Sequence, residues 1–222
     1  DSNTADIGQT VNFQTTITAQ PGAQSYVLHD KMDVGLTFTE DSVAVKFKSG
    51  GTETNLAKDI EYTLTTSGFT DNCTFEIEFT QTFCDTLAKD DKIIVTYSAT
   101  LNEKAVIAGE GNKNTTKLTY GDSSETTSST TTTKTFELPV FKYTKDGTKE
   151  KELAGATFTL SKKSDGTDPI KLVSVSNDAT EGDTYRVAKE NEATGTAKIT
   201  EITTTKSGKF TIKGLDADTY YL

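Results

Sequence analysis

The sequence predicts an all-β chain built as two tandem β-sandwich domains, and three observations carry that prediction. Apolar residues recur in short runs of strict alternation, the period of a strand with one face buried. Those runs are rich in Val, Ile, Phe, Tyr and Thr and are separated by Gly, Asp and Asn turn signals. Only 33% of the 222 residues are hydrophobic, which is sparse for one thick core but suits thin layers that each show a face to water.

In the first half, Val11, Phe13 and Ile17 alternate, and Tyr26, Leu28 and Asp30 share a face. Val43, Val45 and Phe47 make the next run, followed by Phe75, Ile77 and Phe79, then Ile93, Val95 and Tyr97, and a closing run with Leu118 and Tyr120. Turn signals stand between them at Pro21-Gly22, Asp33 to Gly35, Gly50-Gly51 and Asp90-Asp91. This spacing suits an immunoglobulin-like sandwich with Greek-key connections. Helical signals are confined to a turn or two at 56–59 and 82–89. The Thr/Ser-rich tract 121–135 reads as a partly ordered connector, with an extended edge strand as its other reading. The predicted division is therefore residues 1–121, a connector at 122–135, and a second sandwich at 136–222. In that second sandwich Phe136, Leu138, Val140 and Lys142 fall on one face, and five further strand-like runs follow. A polar stretch from 177 to 205 is expected to hold a hairpin excursion.

Charge and composition exclude several functions. With 33 acidic against 23 basic residues the net charge is −10, and no basic stripe exists to neutralise a phosphate backbone, so nucleic acid is not expected as a partner. No apolar run is long enough to cross a membrane as a helix. A metal site is not expected, since His29 is the single histidine and no CxxC spacing is present. No cofactor is expected either. His29 lies opposite in phase to Leu28, on the outer strand face, with no oxyanion motif beside it. Glu76 and Glu78 likewise point away from the apolar residues of their run. A disulfide between Cys73 and Cys84 stays open, because the two flank one strand-like run and would need a fold-back to meet. Lys142 stands out, because the alternation carries its ammonium toward the core, where an unpaired charge is costly.

The segment "VFKYTKDGTKEKELAGATFTL", with "GKFTIKGLDADTYYL" after it, resembles a collagen-adhesin B-type domain and covers most of 136–222. The segments "DIGQTVNFQTTI", "YVLHDKMDVGLTF" and "KIIVTYSATLNEKAVIAGEGNKNTTKLTY" resemble the middle domain of sortase-assembled backbone pilins, a relative of the collagen-adhesin A type. Domains in this order resemble the backbone subunit of a Gram-positive pilus.

The resemblance implies a self-formed isopeptide bond in each domain, in which a Lys amine displaces ammonia from an Asn side chain beside a buried acid. An apolar core suits this chemistry, since it keeps the amine neutral and the acid protonated. In the first domain the resemblance places the acceptor at Asn114, with Asn112 as the neighbouring alternative, and the acid at Asp30, with Glu61 or Glu76 as outsiders. In the second it places the nucleophile at Lys142, with Lys145 the weaker candidate. The first domain's Lys is expected upstream of Asp1, and the second domain's Glu and Asn after Leu222. The resemblance further implies an extracellular, cell-wall-anchored shaft subunit that is not an enzyme. Its partners would be other copies of the same pilin, ancillary pilins and host extracellular matrix. A ligand-binding adhesin or tip pilin built from the same modules is the alternative.

Overall fold

The computed structural model describes residues 1–222. Alternation in the first half becomes β1 (Ser2–Thr4), β2 (Thr10–Thr18), β3 (Val27–Met32), β4 (Leu36–Ser49), β5 (Thr52–Asn55), β6 (Tyr62–Thr65), β7 (Phe75–Phe79), β8 (Lys92–Leu101) and β9 (Asn112–Tyr120). One helical turn, α1 (Gln81–Cys84), follows β7, and the Thr80 hydroxyl caps it by accepting from Phe83 N. The Thr/Ser-rich tract is ordered as β10 (Ser124–Glu125) and β11 (Ser129–Lys134). Branched Thr side chains favour the extended backbone, and two of these threonines are sealed from solvent, Thr133 and Thr135. The remainder forms β12 (Phe136–Phe141), β13 (Tyr143–Asp146), β14 (Lys149–Glu152), β15 (Thr157–Phe158), β16 (Leu172–Ser176), β17 (Asp183–Val187), β18 (Ile202–Thr203) and β19 (Lys209–Leu215).

The chain makes two compact units, and their limits are not simply consecutive. One holds Asp1, 10–100 and 112–132; the other holds 2–9, 101–111 and 133–222.

In the first unit one sheet runs β11-β9-β3-β7-β6, with β10 on β9, and the other runs β2-β8-β4-β5. Of the residues the alternation nominated, Val11, Phe13, Ile17, Leu28, Phe75, Ile77, Phe79, Ile93, Val95 and Tyr97 are buried on the inner faces, while Val43 and Phe47 are half-buried and Tyr120, at the end of β9, is exposed. Aromatic contacts bridge the layers, with Phe38 stacked on Phe75 at 4.4 Å between centroids and Phe75 edge-on to Tyr97 at 4.9 Å. Each such fully buried side chain contributes about 1.5–3 kcal/mol.

In the second unit the sheet runs β12-β19-β17-β16. Leu160, Leu172, Tyr185, Val187, Ile202, Phe210, Ile212 and Leu215 form its core, with Leu138 and Val140 packed against it. β17 and β19 pair in parallel, so the polar stretch between them serves as a crossover. The β13–β14 hairpin, by contrast, is almost wholly exposed.

Candidate functional site

Strand register builds a polar node inside the first unit's core. On β3 Asp30 faces Thr116 of β9, and Met32 faces Asn114. Asp30 and Asn114 are therefore diagonal neighbours on one sheet face, a separation that polar side chains can span through a single bridging group. Tyr97 supplies that group from the opposite sheet, where it pairs with Phe13 and stacks on it at 5.5 Å. Its hydroxyl donates to Asp30 Oδ2 at 2.6 Å and accepts from Asn114 Nδ2 at 3.0 Å. Asp30 is 0% exposed and Asn114 3%.

Two acceptors in the node have no hydrogen-bond partner, Asp30 Oδ1 and Asn114 Oδ1. Leaving such atoms buried is costly, and ionising the carboxyl there would cost more. Burial accordingly pushes the Asp30 carboxyl from 3.8 up to about 7, against the opposing pull of the Tyr97 and Asn114 hydrogen bonds. Burial, then the neighbouring Asp30 charge, also drives the Tyr97 phenol upward. The node thus holds a carboxyl that can carry a proton near neutrality, next to a buried primary amide. A proton donor poised beside a carboxamide can polarise its carbonyl toward attack by an amine.

Asn112 is also buried, one step along the same face as Asn114. The alternative acids lie elsewhere. Glu61 accepts from Ala57 N at 2.6 Å, and Glu76 pairs with His29 on the outer face at 2.9 Å. Tyr97 was missed as a site residue by sequence reasoning. Its signal was present, because a tyrosine in the inward phase must find a partner for its hydroxyl.

One expectation needs correction and one open question is answered. Lys142 is exposed. The phase set by Phe136, Leu138 and Val140 holds, but β12 ends at Phe141 and the apolar layer ends with it. Beyond that point only the Lys142 backbone is held: its N–H donates to Gly208 O at 2.7 Å and its carbonyl accepts from Leu153 N at 3.1 Å. Lys145, on the exposed hairpin, is no better covered. The cysteines are free, with Cys84 buried and Cys73 half-buried. Cys73 precedes β7 (Phe75–Phe79) and Cys84 ends α1 beyond it, so the extended strand runs between them.

Comparison with known proteins supplies a context for the node. A family model described as Gram-positive pilin backbone subunit 2, Cna-B-like domain, matches residues 7–124, just over half of the chain. That description carries the B designation for a half whose sequence was likened above to the A type. A second model, a prealbumin-like fold domain, matches residues 139–222. No curated protein matches the chain. Among solved structures, the pilus 2b backbone protein of group B streptococcus superposes with a TM-score of 0.66 at 23% identity, covering 100% of this chain and 80% of that one. The 35 kDa C-terminal fragment of the major pilin of Streptococcus agalactiae gives 0.63 at 22%, covering 98% and 76%. The T6 backbone pilin of Streptococcus pyogenes serotype M6 gives 0.55 at 17%, covering 91% and 48%. At these identities the likeness is one of fold, all-β and immunoglobulin-like throughout.

Proposed function

Because the chain belongs to the family of Gram-positive pilin backbone subunits, we propose that it is a shaft subunit of a surface pilus whose first unit is locked by an isopeptide bond at Asn114. The observation that carries this reading is the buried Asp30–Tyr97–Asn114 node, with an unpartnered oxygen on both the acid and the amide. A shaft that must bear tension gains from a covalent tie, which no cooperative unfolding event can open.

The chemistry balances without a cofactor. A neutral lysine Nζ attacks Asn114 Cγ. Protonated Asp30 donates to the amide oxygen, so the tetrahedral oxyanion is never left bare in the core. Asp30, now a carboxylate, takes the surplus amine proton and passes it to Nδ2, and on collapse it recovers the proton it gave to the oxygen. The Cγ–Nδ2 bond breaks, ammonia leaves, and the Nζ–Cγ bond remains. Tyr97 holds both partners in register and takes no proton, its phenol being harder to ionise than usual. Each domain reacts once, so the chain is a self-processed structural protein and not an enzyme of turnover. Lys142 of the second unit is exposed, and no bond is assigned to it. The partners in assembly are further copies of the same subunit, joined on the cell surface.

Intact-mass measurement of the pilin as secreted tests the proposal. The expected result is an ammonia deficit that is smaller by one in Asn114→Ala and in Asp30→Ala than in the parent. A deficit unchanged in Asn114→Ala would overturn the assignment.

A further inference from the structure

On the outer face of the same unit, antiparallel register sets His29 of β3 beside Glu76 of β7. Ahead of β7, Asn72 adopts a left-handed φ of 59°, a conformation that Asn tolerates better than most residues. That turn folds Asp71 and Cys73 toward the same spot. His29 Nδ1 lies 2.9 Å from Glu76 Oε1 and 3.1 Å from Asp71 Oδ2. Cys73 Sγ is 3.6 Å from His29 Nδ1 and 3.0 Å from Asp71 Oδ2. All four ligand atoms fall within 4.8 Å of one another, and each residue is half-buried.

Hydrogen bonding alone does not explain this convergence. Nδ1 carries at most one proton, yet two carboxylates and a sulfur crowd around it. The opposite ring nitrogen, Nε2, meets Thr119 Oγ1 at 3.0 Å, and that hydroxyl reaches Val27 O at 3.5 Å. With Nε2–H donating to Thr119, the Nδ1 lone pair would be free to face an ion in the cluster, the tautomer and outer support that a metal-ligating histidine uses.

We infer that His29, Asp71, Cys73 and Glu76 form a four-coordinate Zn(II) site. Tetrahedral zinc with bonds of about 2.0–2.1 Å to N and O and about 2.3 Å to S sets ligand pairs about 3.3–3.6 Å apart. Four of the six pairs span 2.9–3.6 Å and the whole set lies within 4.8 Å, so side-chain rotation must draw Glu76 toward Asp71 and Cys73 to complete the shell. Thiolate with imidazole selects zinc over calcium or magnesium, which prefer all-oxygen shells. On binding, the Cys73 S–H bond breaks, its proton passes to solvent and the S–Zn bond forms, with no change of oxidation state. The bound site carries three negative ligands against two metal charges. Lys117, opposite His29 on β9, pairs with Glu125 Oε2 at 2.8 Å and interacts with Asp71 and Cys73 as well. The ion would staple the β6–β7 segment to two strands of the sheet.

The test uses the 222-residue chain, stripped with chelator and titrated with zinc, then with cobalt as a spectroscopic stand-in. One equivalent should bind, and cobalt should give an intense tetrahedral visible spectrum with a thiolate charge-transfer band. Cys73→Ser should abolish that band. His29→Gln and Glu76→Gln should each weaken zinc at least about tenfold, and Thr119→Val should weaken it roughly tenfold through the ring orientation alone. Circular dichroism of each metal-free variant separates lost binding from lost folding. Because these residues lie away from the core, the variants should retain the parent's strand spectrum. Absence of stoichiometric binding, or full affinity in a folded Cys73→Ser or His29→Gln chain, would overturn the site.

Discussion

Replacing Asp30 by Asn should make the first unit more stable at neutral pH, although it removes an ionisable group from the candidate site. The Asp30 carboxyl titrates at about 7 in the fold against 3.8 in an exposed chain, so the native state holds its proton more tightly than the unfolded state does. The sign follows from linkage. Below 3.8 both states are protonated and the group costs nothing; as pH rises from 3.8 to 7 stability is lost, and above 7 the whole penalty persists. At 1.36 kcal/mol for each tenfold in proton affinity, the penalty is about 4 kcal/mol. Asn is neutral and nearly the same shape, and its oxygen can still accept from Tyr97. The difference between variant and parent should therefore grow from near zero at about pH 4 toward about 4 kcal/mol at about pH 8. Urea unfolding of the 222-residue chain across that range, read by tyrosine fluorescence, measures it. The other carboxylates titrate alike in both proteins and cancel in the difference. Parallel stability–pH curves for the parent and the Asp30→Asn chain would refute the reasoning, because they would mean that Asp30 is not protonated more readily in the fold.

Three further outcomes follow from the same structure. Lys142→Ala should shift the stability of this chain by less than about 0.5 kcal/mol, since the side chain is exposed; a larger loss in thermal unfolding would mean that it packs. Glu192, gripped by both Arg186 guanidinium nitrogens and the Lys189 N–H, is held down at about 2, chiefly by the arginine hydrogen bonds. Its contribution of up to about 3 kcal/mol should be full above pH 4.5 and fade as pH falls toward 2, a loss that Glu192→Gln removes from the acid-unfolding profile. Gly208→Ala should cost at least about 2 kcal/mol in urea unfolding, because φ is +67° and a Cβ there would run into the Lys142 carbonyl oxygen.

The strands were legible because a half-buried β-strand writes its burial into every second residue, as Val11–Phe13 and Phe75–Ile77–Phe79 do. Asp30 and Asn114 were singled out by the family resemblance, and strand phase supplied only their inward direction. Phase does not reveal what covers a face, which is why Lys142, one step past the end of β12, was read as inward and is exposed. Nor does it reveal what faces across the sandwich. Tyr97 looked like one more inward aromatic until β3, β8 and β9 converged on its hydroxyl. The His29 cluster was hidden twice over. Its members come from two paired strands and a left-handed turn at Asn72, and neither strand register nor a positive φ can be read from one sequence. The Thr-rich tract had two readings, and only pairing partners decide between a connector and a strand.

The hydroxyl bridge has one more consequence, for how the chain avoids assembling itself wrongly. Its strands are poor in landmarks. β9 reads Asn-Lys-Asn-Thr-Thr-Lys-Leu-Thr-Tyr and β2 reads Thr-Val-Asn-Phe-Gln-Thr-Thr-Ile-Thr, so a ladder of backbone hydrogen bonds would tolerate several offsets almost equally well. Sliding β9 by one residue would turn Asn114 outward and offer Lys113 or Thr115 to Tyr97. A lysine there would bury a charge, and a threonine is too short to span the diagonal to Asp30. Sliding it by two would return the correct face, but would set Asn112 or Thr116 against the phenol and break the three-way contact. Asp30, Tyr97 and Asn114 therefore act as the notches of a key, a combination that three otherwise interchangeable strands satisfy together in a single alignment.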